Sequence, residues 1–189
     1  MQIVRDYSYA RKEDRGASVA IGNFDGVHLG HQAVIDIARD VAREKGVPLG
    51  IVTFEPHPRE VFAPDAPPFR LMNTEARANR LEKLGVDILY ELSFSPALAA
   101  LPPEAFARQV ICDGLGLSHV VVGRDFQFGH KRAGDTNLLQ VLGGNMGFGV
   151  TIADLKEIGG LEVSSTKIRD ALADGRPRDA CLLYTSPSP

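Results

Sequence analysis

An apolar run over residues 17–21 stops at Gly22, and the chain then reads GNFDGVHLGH before entering a long amphipathic segment that ends near Gly46. No other stretch limits the possible folds so tightly. A mainly apolar run suits a strand buried on both faces, and apolar residues at helical spacing suit a helix packed over it. The connection must be a tight turn. Gly22 and Gly26 allow positive φ or a close backbone approach that a Cβ would block. The helix that follows opens with unpaired N–H groups and a partial positive charge, which together suit an anion, most often a phosphate. His28 and His31 are spaced to face one side of the first helical turn, with Gly30 between them leaving room for a flat ligand. Neither feature alone is diagnostic. Glycine turns join strands to helices in many α/β proteins, and a single histidine at a helix start is usually a cap or a surface residue.

Taken together, residues 22–31 resemble the H-x-G-H signature of the nucleotidyltransferase superfamily. Their fuller form, G-x-F-D-G-V-H-x-G-H, is similar to that of the FMN adenylyltransferase module of bacterial FAD synthetases. The rest of the chain can be asked whether it agrees. A chain of 189 residues, 44% hydrophobic and 24% charged, fits one α/β domain with a substantial core. The net charge of −3 supplies no electrostatic footprint for nucleic acid, so any phosphate binding must be local. Cys112 and Cys181 have no metal-ligand spacing, and a disulfide framework and a zinc site are not expected. A reducing cytoplasm is the expected compartment. No apolar stretch is long enough to cross a bilayer and the N-terminus reads as no export signal, so a soluble protein with no membrane partner is expected.

Residues 1–16 read as an irregular or edge-strand lead-in, and residues 49–54 as a second buried strand. That strand runs into EPHPREVF, where Pro56 and Pro58 fix φ and remove two donors, predicting a stiff, extended loop with His57 at its tip. T-F-x-P-H-P resembles the second signature of FAD synthetases. Residues 63–69 read as a mobile loop, residues 73–84 as a helix capped by Asn73 or Thr74 and stopped by Gly85, and residues 86–92 as a third strand. Pro102 and Pro103 open a helix over 104–115, with Phe106 on its apolar face. A fourth strand, 117–122, leads into GRDFQFGHKRAGDTN, which is similar to the third signature; His130, Lys131 and Arg132 there read as a solvated basic loop. Asp135 caps a helix to about Leu142, broken by Gly143, Gly144 and Gly147, and a fifth strand follows over 149–155. Finally Ser164 or Ser165 caps a helix carrying Thr166 and Arg169, and S-S-T-x-I-R is similar to the fourth signature.

Alternating strands and helices predict a Rossmann-like, doubly wound α/β fold with a mostly parallel five-stranded sheet, the nucleotidyltransferase fold. The resemblance covers about residues 16–183. It implies a single adenylyltransferase domain over 1–182, with residues 183–189 a disordered or foreign tail and the family's riboflavin kinase domain absent. The implied reaction is attack of the FMN phosphate on the α-phosphorus of ATP, with ATP and FMN as substrates and Mg²⁺ carried on ATP rather than held by a protein metal site. His28, His31 and Arg169 would be catalytic. Gly22, Asn23, Phe24, Gly30, Ser164, Ser165 and Thr166 would bind ATP. Pro56, His57, Pro58, Phe62, Asp125 and Phe128 would bind FMN. Partners would be small molecules, with a homo-oligomer a further expectation. Two other readings stand beside this one: a nucleotidyltransferase with a different phosphorylated acceptor, and a catalytically silent nucleotide- or flavin-binding module.

Overall fold

The computed structural model describes residues 1–154 and 164–184. Its centre is a sheet in the order β1-β4-β3-β2-β5-β6, every neighbouring pair parallel. The strands are β1 (Gln2–Val4), β2 (Ser18–Ile21), β3 (Leu49–Glu55), β4 (Ile88–Ser93), β5 (His119–Gly123) and β6 (Gly149–Ala153). Six strands replace the five expected. The additional one is β1, which pairs Gln2 with Ile88 and lies within the lead-in segment. At three residues it is too short to show any periodicity, and its pairing partner is 86 positions away.

Side chains alternate across the sheet as a pleated strand requires. Val19, Ile88, Tyr90, Leu92, Val120 and Val122 pack on one face, and Ala20, Ile51, Leu89 and Val121 on the other. The first face is covered by α5 (Pro103–Phe106), by the π-helix Ala107–Gly114 that continues it, and by α6 (Thr136–Met146). The second is covered by α1 (Leu29–Lys45) and α3 (Thr74–Lys83), through Ile35, Ala38 and Leu81. Sequence punctuation explains the helix ends. Gly46, at φ 64°, closes α1, and the Asn73 side chain accepts from the Ala76 amide at the start of α3.

Two local expectations are corrected. The EPHPREVF stretch is not an extended loop: His57 caps a short helix, α2 (Pro58–Phe62), and Pro58 sits in its first turn, where a missing N–H costs nothing. Gly143 and Gly144 do not break α6, which continues to Met146 and ends at Gly147, φ 85°. Gly143 is needed for contact rather than for a turn, because a Cβ there would come within 2.7 Å of the Phe148 carbonyl. The chain also forms α4 (Pro96–Ala99), α7 (Ser165–Ala173) and α8 (Pro177–Tyr184). Leu155, expected to end the last strand, and most of the expected tail lie outside the described residues.

Strand order reverses at β2, which has β3 on one side and β5 on the other. Crevices at the carboxyl ends of parallel strands, where the order reverses, are where open α/β sheets bind ligands.

Candidate active site

A cleft of about 1450 Å³ opens at this reversal, lined by the loops after β2, β3 and β5, by Ala153 and Asp154 at the end of β6 and by the start of α7. All four sequence motifs reach it. Among the residues expected at a site, Gly22, Asn23, Phe24, His28, Gly30, His31, His57, Pro58, Phe62, Asp125, Phe128, Ser164, Ser165, Thr166 and Arg169 line the cleft, whereas Pro56 does not.

The loop after β2 is built from unusual backbone. Gly26 has φ 90°, as a glycine allows, but Phe24 and Val27 also have positive φ, 49° and 40°. For a β-branched residue such as Val27 this is a strained conformation, costing on the order of 1–3 kcal/mol, and it persists only when the surroundings hold it. Both side chains are anchored, each 1% exposed in the core. Gly22 needs no positive φ; a Cβ there would rest 3.4 Å from the Phe24 ring. Phe24 thus lies beneath the cleft, its ring centroid 5.2 Å from that of His31.

His28 caps α1, and its Nδ1 accepts from the His31 amide at 3.3 Å. The neutral ring therefore carries its proton on Nε2. The His28 and His31 rings stack at 3.7 Å, 17° from coplanar. Burial pushes the His28 pKa down to about 4, with Asp25 opposing and Arg169 reinforcing the shift. Burial likewise holds His31 well below its ordinary value, helped by His28 and Arg169. At neutral pH the two rings are uncharged hydrogen-bonding groups. The buried Nδ1 of His31 has no partner among the described residues.

The start of α7 faces the same space. Ser164 accepts from the Lys167 amide, and the Ser165 hydroxyl donates to the Asp25 carbonyl at 2.9 Å. Arg169, one turn on, donates to the Phe69 carbonyl at 2.8 Å and to the Asp25 carboxylate at 2.7 Å. Two helix N-termini and a guanidinium thus border one cleft, an arrangement suited to phosphate groups.

The loop after β3 supplies His57, whose Nδ1 accepts from the Arg59 amide and whose ring meets Phe69 edge-on at 4.9 Å. Burial also lowers the His57 pKa. Phe62 is 70% exposed at the rim, with its ring 5.6 Å from that of Phe94. Phe128 is buried, and Phe126 stacks on it at 5.8 Å. Asp125 is exposed where the chain leaves β5. The basic loop divides: Lys131 and Arg132 line the cleft, whereas His130 does not and turns its Nδ1 to the Ala99 carbonyl, 3.4 Å away. Among the described residues, no three His, Cys, Asp or Glu side chains come together as a metal-binding group.

Sequence reasoning missed two parts of this arrangement. Asp25 is 5% exposed; it pairs with Arg169 and accepts from the amides of Leu71 and Met72. Its place between the motif's phenylalanine and glycine was visible, but its partners 46 and 144 positions away were not. Phe69, at the end of the expected loop, makes contacts the sequence did not announce: its carbonyl accepts from Arg169, and its ring lies under both Arg59 and Arg169.

The chain is 46% identical over 173 residues to a bifunctional riboflavin kinase/FMN adenylyltransferase of Pseudomonas fluorescens, covering 92% of this chain and 55% of that protein. Proteins of the same description from Escherichia coli K12 and Bacillus subtilis 168 are 36% and 38% identical, over 92% and 93% of this chain and 56% of each of theirs. The chain thus spans about half the length of the curated relatives it matches. A crystal structure described as a macrolide-efflux protein from Streptococcus pneumoniae superposes with a TM-score of 0.81 at 27% identity, covering 96% of this chain and 59% of that one. Among the described residues, no helix is long and apolar enough to cross a membrane. The FAD synthetase family model matches residues 10–167, and with the relatives above it shows that the chain belongs to the FAD synthetase family.

Proposed function

We propose that this chain is an FMN adenylyltransferase, joining the AMP of ATP to the phosphate of FMN and releasing pyrophosphate. The observation that carries the reading is the convergence of two helix N-termini, two stacked neutral histidines and Arg169 on one cleft with an aromatic rim. An oxygen of the FMN phosphate attacks the α-phosphorus. The new P–O bond forms as the bond to the bridging oxygen breaks, and pyrophosphate leaves with that electron pair. A phosphate monoester has a second pKa of about 6, so the nucleophile is already ionised at neutral pH and needs no general base. What the protein must supply is in-line placement and donors for the developing charge.

Each candidate that lines the cleft has a part in that task. His28, protonated on Nε2, and His31 donate to the α-phosphate as neutral groups. Arg169 exchanges the Asp25 carboxylate for the phosphate tail, with Ser164, Ser165, Thr166 and the α7 amides beside it. Gly22, Asn23, Phe24 and Gly30 shape the adenylate side. His57, Pro58, Phe62, Asp125 and Phe128 shape the flavin side, by stacking and limited hydrogen bonding, whereas Pro56, outside the cleft, has no direct part. Mg²⁺ enters bound to ATP as part of the substrate and supplies charge neutralisation there. The partners are small molecules, the compartment is the cytoplasm, and phosphorylation of riboflavin is no part of the proposal.

The test is incubation of the purified chain with ATP, Mg²⁺ and either FMN or riboflavin, with flavins separated by chromatography. FAD from FMN but nothing from riboflavin is expected. Flavin or ATP bound without any FAD, and no ATP made from FAD and pyrophosphate, would instead support a silent binding module.

A further inference from the structure

Residues 69–72 are not part of any sequence motif, yet they touch three of the four motif segments. The Phe69 carbonyl accepts from Arg169, and the Leu71 and Met72 amides donate to Asp25. The Leu71 side chain packs against Ile168 and Ala171 of α7. Phe69 meets the His57 ring. Between these contacts stands Arg70, outside the lining of the cleft, with its side chain 21% exposed.

Arg70 binds two carboxylates at once. Nη1 and Nη2 donate to Glu55 at 2.9 and 2.7 Å, and Nε donates to Glu60 at 2.7 Å, with Nη2 also reaching Glu60. Each carboxylate has a further task. Glu60 accepts from the His57 amide at 3.1 Å, completing the cap of α2. Glu55 accepts from Arg77 at 3.1 Å, and the buried Arg77 also bonds Glu91 and reaches toward the Asn23 carbonyl, 3.5 Å away. The chain of contacts therefore runs from the loop after β2, through Arg77, Glu55, Arg70 and Glu60, to the backbone of His57. A planar fork that saturates two carboxylates sets geometry, which a single surface ion pair does not.

Resting on the adenylyl-transfer reading above, we propose that Arg70 is a positioning residue for the acceptor side of the site, acting through Glu60 to set the His57 loop without touching substrate. Groups carried on loops are placed accurately only when a supporting shell locks them. Without Arg70, Glu55 and Glu60 become two neighbouring carboxylates with their shared cation gone, and α2 is pushed from its place. The nucleotide side keeps its own ties, Asp25 to Leu71 and Met72, and Arg77 to Glu91. The effect is therefore selective. Lysine, a single point charge, can serve only part of this double contact.

The experiment measures FAD formation with FMN and ATP varied in turn, for the wild-type chain, Arg70→Ala and Arg70→Lys, alongside urea unfolding of each. Arg70→Ala is expected to raise the KM for FMN about tenfold or more, to leave the KM for ATP within about twofold, and Arg70→Lys to fall between. An unchanged KM for FMN, or a parallel rise in both KM values, overturns the proposal. Should Arg70→Ala fail to fold, Arg70→Lys must show the selective rise by itself, and its absence is equally decisive. A wild-type chain that makes no FAD refutes the adenylyl-transfer reading and this inference with it, whereas an active wild type with unaltered variants refutes only the role of Arg70.

Discussion

Acidification should destabilise this protein in part through His28. In the unfolded chain the imidazole titrates near its ordinary value of 6.5, and in the folded protein burial lowers this to about 4. Between those values the unfolded chain binds the proton and the folded one does not, so stability rises with pH across the window. The contribution is fully present above 6.5 and is lost as pH falls toward 4. The difference corresponds to about 3 kcal/mol, most of it gone by about pH 4.5. His28 is only 5% exposed, so solvent screening takes little from that figure. The perturbation is His28→Asn, because asparagine still accepts the His31 amide as an N-cap but does not titrate. Urea unfolding followed by circular dichroism at neutral pH and at about pH 4.5 gives the loss in each chain, and the other histidines are common to both. The variant should lose about 2–3 kcal/mol less than the wild type on acidification. Equal losses would show that His28 is not held neutral by burial, and the argument for uncharged histidines in the cleft would fail with it.

Three further outcomes follow from the same geometry. His28→Ala should lower turnover by about a hundredfold or more while leaving ATP binding nearly intact, whereas Arg169→Ala should weaken both; small, equal effects in a steady-state and calorimetric comparison would sink the mechanism. Asp25→Ala removes the partner of Arg169 and the acceptor for two amides, and should cost about 1–3 kcal/mol or more in urea unfolding. Phe62→Ala, at a 70% exposed ring, should leave stability within about 0.5 kcal/mol yet weaken FMN binding, as read by flavin fluorescence; unchanged binding would remove Phe62 from the acceptor side.

Much of the fold was legible because its signals are local. The runs at residues 17–21, 49–54 and 117–122 are mainly apolar, Asn73 and Asp135 cap helices, and Gly46 and Gly85 stop them in left-handed conformations. The motifs could be placed at the cleft because each follows a strand or opens a helix. Three things were not legible, for different reasons. β1 is too short to have a period, and its position at the sheet edge is decided by β4. Gly143 looks like a helix breaker until Phe148 is seen against it. Phe69 sits in a proline-rich stretch of a kind usually exposed and mobile, and nothing nearby in the chain announces that Arg169 will reach its carbonyl from 100 positions away.

The sequence by itself determined that a strand, a glycine turn and a helix start would follow one another at residues 17–31, because backbone freedom and capping act within a few residues. Only the tertiary structure decided what state the candidate site is in. Whether His28 and His31 carry charge depends on desolvation by the packed chain around them, and whether Arg169 is engaged depends on Asp25 arriving from the far end of the sequence. Desolvation and ion pairing depend on distance in space, which position in the chain does not give.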